Sequence, residues 1–161
     1  MQNQGEIIAC DVSAARLRRL ASNLKRLHVT NAHIEQHDWA AEELPAWAEG
    51  GFDAILLDVP CSNTGVMRRR VDVRWRLTAE SFAEQNTAQE RLLRSAARVL
   101  RPGGVLVYST CSIDPEENGQ LIRRILESMP HLRLETEQSS FPTETGIDGA
   151  YAARLVSAAK A

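Results

Sequence analysis

Apolar residues fall along the chain in two alternating patterns, short continuous runs and longer stretches at helical spacing. Ile7-Ile8-Ala9-Cys10, Ala54-Ile55-Leu56-Leu57 and Val105-Leu106-Val107-Tyr108 are short runs of the kind that form buried strands of a parallel sheet. Leu17, Leu20, Leu24 and Leu27 recur at helical spacing, with Ser13 placed to cap that helix and Arg16, Arg18, Arg19 and Lys25 on its other faces. A long helix is predicted from about Thr78 to Leu100, with Leu92, Leu93, Ala96, Ala97 and Leu100 as its buried stripe and Arg101-Pro102-Gly103-Gly104 as its stop. Asp114-Pro115-Glu116-Glu117 predicts a further helix start. Asp114 would be the N-cap, Pro115 the first helical residue and Glu117 the partner in a capping box. Leu121, Ile122, Ile125, Leu126 and Met129 supply that helix with a core face. His33–Asp38 is a weaker strand, Gly50-Gly51 a turn, and the tail offers strands around Leu132–Leu134 and Ala150–Val156. Strands alternating with helices predict an α/β fold with a mostly parallel sheet.

Composition narrows the class. Of the 161 residues 43% are hydrophobic and 25% charged, which suits one domain with a packed core. There is no apolar run of membrane-spanning length, and Met1–Glu6 has no signal-peptide character, so a cytoplasmic protein without a membrane partner is expected. The cysteines, Cys10, Cys61 and Cys111, are odd in number and widely spaced. Neither a disulfide framework nor a metal site is expected. The net charge of −2 does not announce a nucleic-acid binder, but Arg68, Arg69, Arg70, Arg74 and Arg76 crowd into one stretch.

The chemistry-bearing residues sit at strand ends. In doubly wound folds ligands bind beyond the carboxyl ends of the strands. Asp11, Asp38 and Asp58 each close a predicted strand, and Asp11 stands where an acid can accept from ribose hydroxyls. Cys61 follows one strand and Cys111 another, both among polar neighbours, whereas Cys10 lies within a strand and reads as a small hydrophobe. A helix N-terminus just after Cys111 would favour its thiolate. No G-x-G-x-x-G occurs, and only ten residues precede Asp11, so no glycine-rich cofactor loop lies before it.

Asp58-Val59-Pro60-Cys61-Ser62 resembles the D-x-P-C-S motif of the RNA cytosine-5 methyltransferases, the NOL/NOP/Sun family. Fifty residues after Cys61, Thr110-Cys111-Ser112 with Pro115-Glu116-Glu117-Asn118 resembles that family's T-C-S and P-E-E-N segment. Thr64–Arg69 with Asp72-Val73-Arg74-Trp75 is most similar to the bacterial branch that methylates 16S ribosomal RNA, and Asp148–Ala153 to the family's closing D-G-F-F-x-A. Val59 stands where Ala is common, and Val71 where Pro is usual in that branch.

The resemblance covers nearly the whole chain. It implies a Rossmann-like S-adenosylmethionine-dependent methyltransferase fold and methyl transfer to carbon 5 of a cytosine in RNA. It implies Cys111 as the nucleophile, Cys61 as the cysteine that assists product release, and Asp58 as an acid at base and cofactor. Asp11 would hold the cofactor ribose and Asp38 lie near its adenine. Carbon 5 of cytosine becomes nucleophilic only after a thiolate adds at carbon 6. The base must therefore leave its stack, as in a loop, a single strand or a flipped nucleotide. The arginine run would then face phosphates.

Residues 1–161 match the C-terminal portion of such a catalytic domain, without the family's glycine-rich loop and first strand. That strand would lie centrally, so two half-sheets with unpaired inner edges are expected. The competing readings are a catalytically incompetent fragment or RNA-binding module of the same fold, a DNA cytosine-5 methyltransferase that uses Cys61, and a nicotinamide-dependent oxidoreductase. The last lacks both a glycine fingerprint and a Tyr-x-x-x-Lys. On the fragment reading, isothermal titration of this chain with S-adenosylmethionine gives weak or no binding. Micromolar affinity would contradict it.

Overall fold

A computed structural model describes residues 2–159 of the chain. The chain divides into two compact units, Met1–Pro45 and Ala46–Ala161.

In the first unit, strands β1 (Ile7–Asp11) and β2 (Ala32–Gln36) run parallel, with Ile7 opposite Ala32 and Asp11 opposite Gln36. Parallel neighbours need a crossover, and helix α1 (Ala14–Arg26) provides it. Ser13 has extended backbone angles and its side chain accepts from the Arg16 N–H at 3.4 Å, as its sequence position predicted. Lys25 and Arg26 lie in the last turn, where positive charge favours the helix dipole. Leu17 is the buried residue of the apolar stripe. Leu20 and Leu24 are half-buried, and Leu27, at the C-cap, faces solvent. Strand β2 closes at Gln36, so Asp38 stands two residues beyond its end rather than on it.

The second unit holds a four-stranded sheet in the order β3-β4-β6-β5. β3 (Phe52–Asp58) and β4 (Leu100–Thr110) are parallel and joined through helix α2 (Val73–Arg76) and the long helix α3 (Ala79–Arg98). The tail strands β5 (Leu132–Ser140) and β6 (Ala150–Ser157) enter antiparallel, which makes the sheet mixed. Helix α4 (Gly119–Ser128) lies between β4 and β5, and the short α5 (Pro142–Thr145) between β5 and β6. The expected division into half-sheets is present. Among the described residues β1 pairs only with β2, and β3 only with β4.

α3 starts with a reciprocal cap, in which Thr78 Oγ1 accepts from the Ser81 N–H at 3.2 Å and Ser81 Oγ accepts from the Thr78 N–H at 3.0 Å. Leu93, Ala96 and Ala97 of α3 and Leu121, Ile122 and Ile125 of α4 pack with Leu106, Tyr108, Ala153 and Leu155 of the sheet into one core. α3 ends at Arg98, so Leu100, expected to close its buried stripe, instead opens β4, and the predicted stop Arg101–Gly104 lies inside that strand. Phe52 pairs with Leu100 and Ala54 with Val105, so these four residues form an excursion from the ladder, with Gly103 at φ +77°.

The capping box predicted for Asp114 and Glu117 does not form. Residues 115–118 make turns and α4 begins at Gly119, with Asn118 at its N-cap. The Asp114 N–H donates to Ser112 Oγ at 3.0 Å, while the Glu117 side chain turns into the interior. The carboxylate finds stronger donors there than one backbone N–H at a helix end.

Leu93 is fully buried. Leu93→Ala is expected to cost about 2–5 kcal/mol, read as a lower urea midpoint with an unchanged slope.

Candidate active site

β3 and β4 are adjacent and parallel, and Asp58 stands opposite Ser109 in their register. The segments that follow them therefore leave the same sheet edge side by side. One carries Pro60-Cys61-Ser62-Asn63 and the other Cys111-Ser112. The two sulfurs meet at 3.3 Å. Cys61 is buried, whereas Cys111 is partly open to solvent. Asp58 is exposed at the end of β3 and accepts from Ser109 Oγ at 3.2 Å. The second unit thus brings together Asp58, Cys61 and Cys111.

Asn63 joins them. It sits at φ +62°, a backbone region that glycine and asparagine tolerate best. Its Nδ2 donates to the Cys61 carbonyl at 2.7 Å. Its Oδ1 accepts from Arg70 Nη1 at 3.1 Å and lies 3.2 Å from Cys111 Sγ, which donates to it when protonated.

The sulfurs are electrostatically unequal. The Cys111 thiol is lowered to about 7, chiefly because Cys61 donates a hydrogen bond to its sulfur. Burial and the charge of Asp58 work against that shift, and the nearby Arg70 supports it. Cys61 is pushed far up, because its proton is held against Cys111 and because it is buried. Cys111 thus has substantial thiolate character at neutral pH, and Cys61 keeps its proton. The cause differs from the expected one. The next helix begins only at Gly119, so a helix terminus does not account for the acidity of Cys111.

A buried polar network fixes both segments. Glu117 is fully buried and accepts from the Ser62 N–H at 2.9 Å, from Ser62 Oγ at 2.6 Å and from Gln89 Nε2 at 2.9 Å. Gln89 Nε2 also donates to the Pro60 carbonyl at 2.8 Å. Asp114 accepts from Thr64 Oγ1 at 2.5 Å and Ser112 Oγ at 3.1 Å. On the other strand, Thr110 Oγ1 donates to Asn118 Oδ1 at 2.7 Å, and Asn118 Nδ2 donates to the Ser112 carbonyl at 3.0 Å.

Beyond these side chains, Gly65 receives the closing turn. Its N–H donates to the Cys111 carbonyl at 3.0 Å, and its carbonyl accepts from the Gly149 N–H at 2.8 Å. A Cβ on Gly65 would meet the Gly149 oxygen at 2.3 Å, so no larger residue fits without backbone movement. Sequence reasoning missed Ser62, Asn63, Gln89 and the inward role of Glu117. Only the unusual density of small polar residues around both cysteines hinted at such a network.

A family model described as 16S rRNA methyltransferase RsmB/F matches residues 1–159. The chain belongs to the 16S rRNA methyltransferase RsmB/F family. It is 37% identical over 164 residues to ribosomal RNA small subunit methyltransferase B of Vibrio cholerae, an overlap of 94% of this chain and 36% of that protein. It is 40% identical over 143 residues to ribosomal RNA small subunit methyltransferase F of Aeromonas salmonicida, covering 88% of this chain and 30% of that one. The chain therefore spans about a third of the length of these curated relatives. Among solved structures it superimposes on NSun6 from Pyrococcus horikoshii, determined with SFG, at a TM-score of 0.85 and 30% identity, over 99% of this chain and 43% of that one. The fold is the Rossmann-like α/β fold of methyltransferases, as the sequence implied.

In this RsmB/F chain the other two acids, Asp11 and Asp38, belong to the first unit. Asp11 ends β1 and accepts from the Ser13 N–H at 2.7 Å and from Arg16 Nε at 2.9 Å and 2.7 Å. The hydrogen bond from Arg16 holds its carboxyl below the usual range. A carboxylate offers about four acceptor positions, and Arg16 is itself exposed. Asp11 thus keeps acceptor capacity beyond Ser13 and Arg16. Asp38 is exposed and its carboxylate accepts from the Ala40 N–H at 2.9 Å. Among the described residues no group of three His, Cys, Asp or Glu side chains is placed to hold a metal ion, and no helix is long and apolar enough to cross a membrane.

The unequal thiols lead to a direct test. Alkylation of Cys111 by iodoacetamide, followed by peptide mass spectrometry, should rise with pH through a midpoint near 7, with Cys61 far slower. The sign follows from thiolate being the reactive form: raising the pH through the midpoint increases the rate, and lowering it suppresses it. Cys61→Ala removes the donated hydrogen bond and should move the Cys111 midpoint upward.

Proposed function

We propose that this chain carries the methyl-transfer site of an S-adenosylmethionine-dependent RNA cytosine-5 methyltransferase acting on 16S ribosomal RNA in the cytoplasm. The observation that carries this reading is the pairing of a partly exposed, acidified Cys111 with a buried, protonated Cys61 at 3.3 Å. Cys111 is the attacking residue because it alone combines access with thiolate character. The relatives' names supply ribosomal RNA as the substrate class and methyl transfer as the reaction.

The steps follow from the residues. The Cys111 thiolate adds to carbon 6 of an unstacked cytosine, and the electron pair of the 5,6 double bond shifts through carbon 4 to the ring nitrogen beside the exocyclic amine. A proton shared between Asp58 and that ring nitrogen stabilises the developing charge. Carbon 5 of the adduct is now electron-rich. S-adenosylmethionine, when bound, supplies the methyl group, and Asp11 and Asp38 are the residues that would hold its ribose and adenine. The ring nitrogen then gives its proton back to Asp58, the carbon 5 proton is lost to a solvent base, and that electron pair re-forms the 5,6 double bond as the carbon–sulfur bond breaks. The Cys61 S–H stabilises the departing Cys111 thiolate through the contact seen between the two sulfurs.

The second reading is a module that holds RNA on the same fold without transferring a methyl group. The lack of any strand pairing between β1–β2 and the larger sheet among the described residues favours it. Incubation with a 5-fluorocytosine RNA and S-adenosylmethionine separates the two. A covalent adduct on Cys111, absent in Cys111→Ser, is expected. An adduct on Cys61 or none at all would reject the catalytic reading. With an ordinary cytosine RNA, Cys61→Ala should accumulate adduct, because release is slowed.

A further inference from the structure

The arginine run singled out in the sequence divides in space. Arg68 and Arg69 are both committed to Asp148, with Nε to carboxylate distances of 2.6 Å and 2.7 Å, and so fasten this loop to the turn before β6. Arg70 points the other way, onto Asn63 Oδ1 at 3.1 Å, and Asn63 in turn contacts Cys111. Arg76 pairs with Asp72 at 2.8 Å and remains largely exposed. Arg74 is exposed and has no ion pair among the described residues. Five guanidiniums thus face two carboxylates, which leaves an excess of positive charge on this surface.

Trp75 stands among these arginines with 81% of its surface exposed, and neighbouring Val71 is 56% exposed. The exposure has a cause. α2 is pinned by buried Val73, whose carbonyl also accepts from the Leu77 N–H at 3.0 Å. Residues two apart on a helix point about 200° from one another, so seating Val73 turns Trp75 outward. A cavity of about 130 Å³ opens on the Val73 side, bounded in part by Ser62, Asn63, Arg70, Val73 and Arg76. Arg70 and Arg76 thus border this cavity beside Asn63, and Trp75, between Arg74 and Arg76 in the chain, stands on the outward side of α2.

We propose that Trp75 is a stacking platform for an unpaired RNA base flanking the target, with Arg70, Arg74 and Arg76 taking the adjacent phosphates. This rests on the reading that the cysteine pair acts on RNA. Rigid aromatic faces stack on any base, and the guanidiniums around them track the backbone, which suits a single strand better than a duplex. The arrangement also explains why the run is not simply a solvated loop. Two of its arginines shape the loop, and the others stay available to anions.

Anisotropy of a fluorescein-labelled twelve-nucleotide single-stranded RNA, titrated with the full chain, tests it. Trp75→Ala should weaken binding about 5- to 100-fold, whereas Trp75→Phe should stay within about threefold of the parent. Arg74→Gln should reduce the slope of log affinity against log salt by about 0.7. The same sequence as a duplex should be insensitive to Trp75→Ala. Because Trp75 is exposed, circular dichroism should show unchanged folding in these variants.

Equal affinity of Trp75→Ala and the parent would overturn the proposal, as it would if the ring instead docks a protein. So would equal losses in the Ala and Phe variants, or no binding by the parent chain. The 5-fluorocytosine adduct is read separately. An adduct on Cys111 with a neutral Trp75→Ala defeats only the platform. A Trp75 effect without an adduct defeats only the catalytic reading.

Discussion

The site depends on a carboxylate that has left water. Glu117 is fully buried, and removing such a charge from solvent costs several kcal/mol unless donors replace the water. Here the Ser62 N–H, Ser62 Oγ and the Gln89 amide replace it. Ser62 directly follows Cys61, and the Gln89 amide from α3 also donates to the Pro60 carbonyl just before it, so satisfying the charge also sets the position of the buried sulfur. Tyr108 adds a second tie from β4, donating through its hydroxyl to the Glu117 carbonyl at 2.7 Å. Tyr108 itself is enclosed in the core, and its phenol is raised mainly by that burial. The core and the site are thus linked at one residue.

From that fixed point the asymmetry of the two cysteines follows. Neither sulfur is unusual alone. Their difference comes from placing one beneath the surface and the other at it, close enough that a single proton is shared unequally. Asn63 ties the two segments together, because its left-handed backbone lets one amide reach the Cys61 carbonyl, Cys111 and Arg70. A charge outside the pair, on Arg70, thereby favours the thiolate within it. The same guanidinium borders the cationic surface around Trp75, so the reacting sulfur and the basic surface share a residue.

The close approach of Gly65 and Gly149 shows how distant segments complete the site. Backbone meets backbone there, with no volume for a side chain. Asp148, immediately before Gly149, holds Arg68 and Arg69, so the turn leading into β6 closes over the residues that follow Cys61. The antiparallel return of β6 beside β4 brings that turn back to the edge where both cysteines emerge.

The strands, the main helices and the two cysteines are legible in the residue order, because each rests on local information. Apolar runs favour strands, although Leu56 in the run expected to be buried is 75% exposed because β3 is an edge strand with one face uncovered. Helical stripes face a core, and residues just after strands of a parallel sheet gather at one edge. The start of α4 was misread for the same reason. Asp-Pro-Glu-Glu is a good local helix start, and nothing local records that Ser62 and Gln89 would compete for Glu117. That competition, the sharing of a proton between the sulfurs, the split of the arginine run and the outward turn of Trp75 arise only once the chain has folded. Each depends on groups tens of residues apart meeting within hydrogen-bond distance, which the order of residues along a chain does not encode in any local pattern.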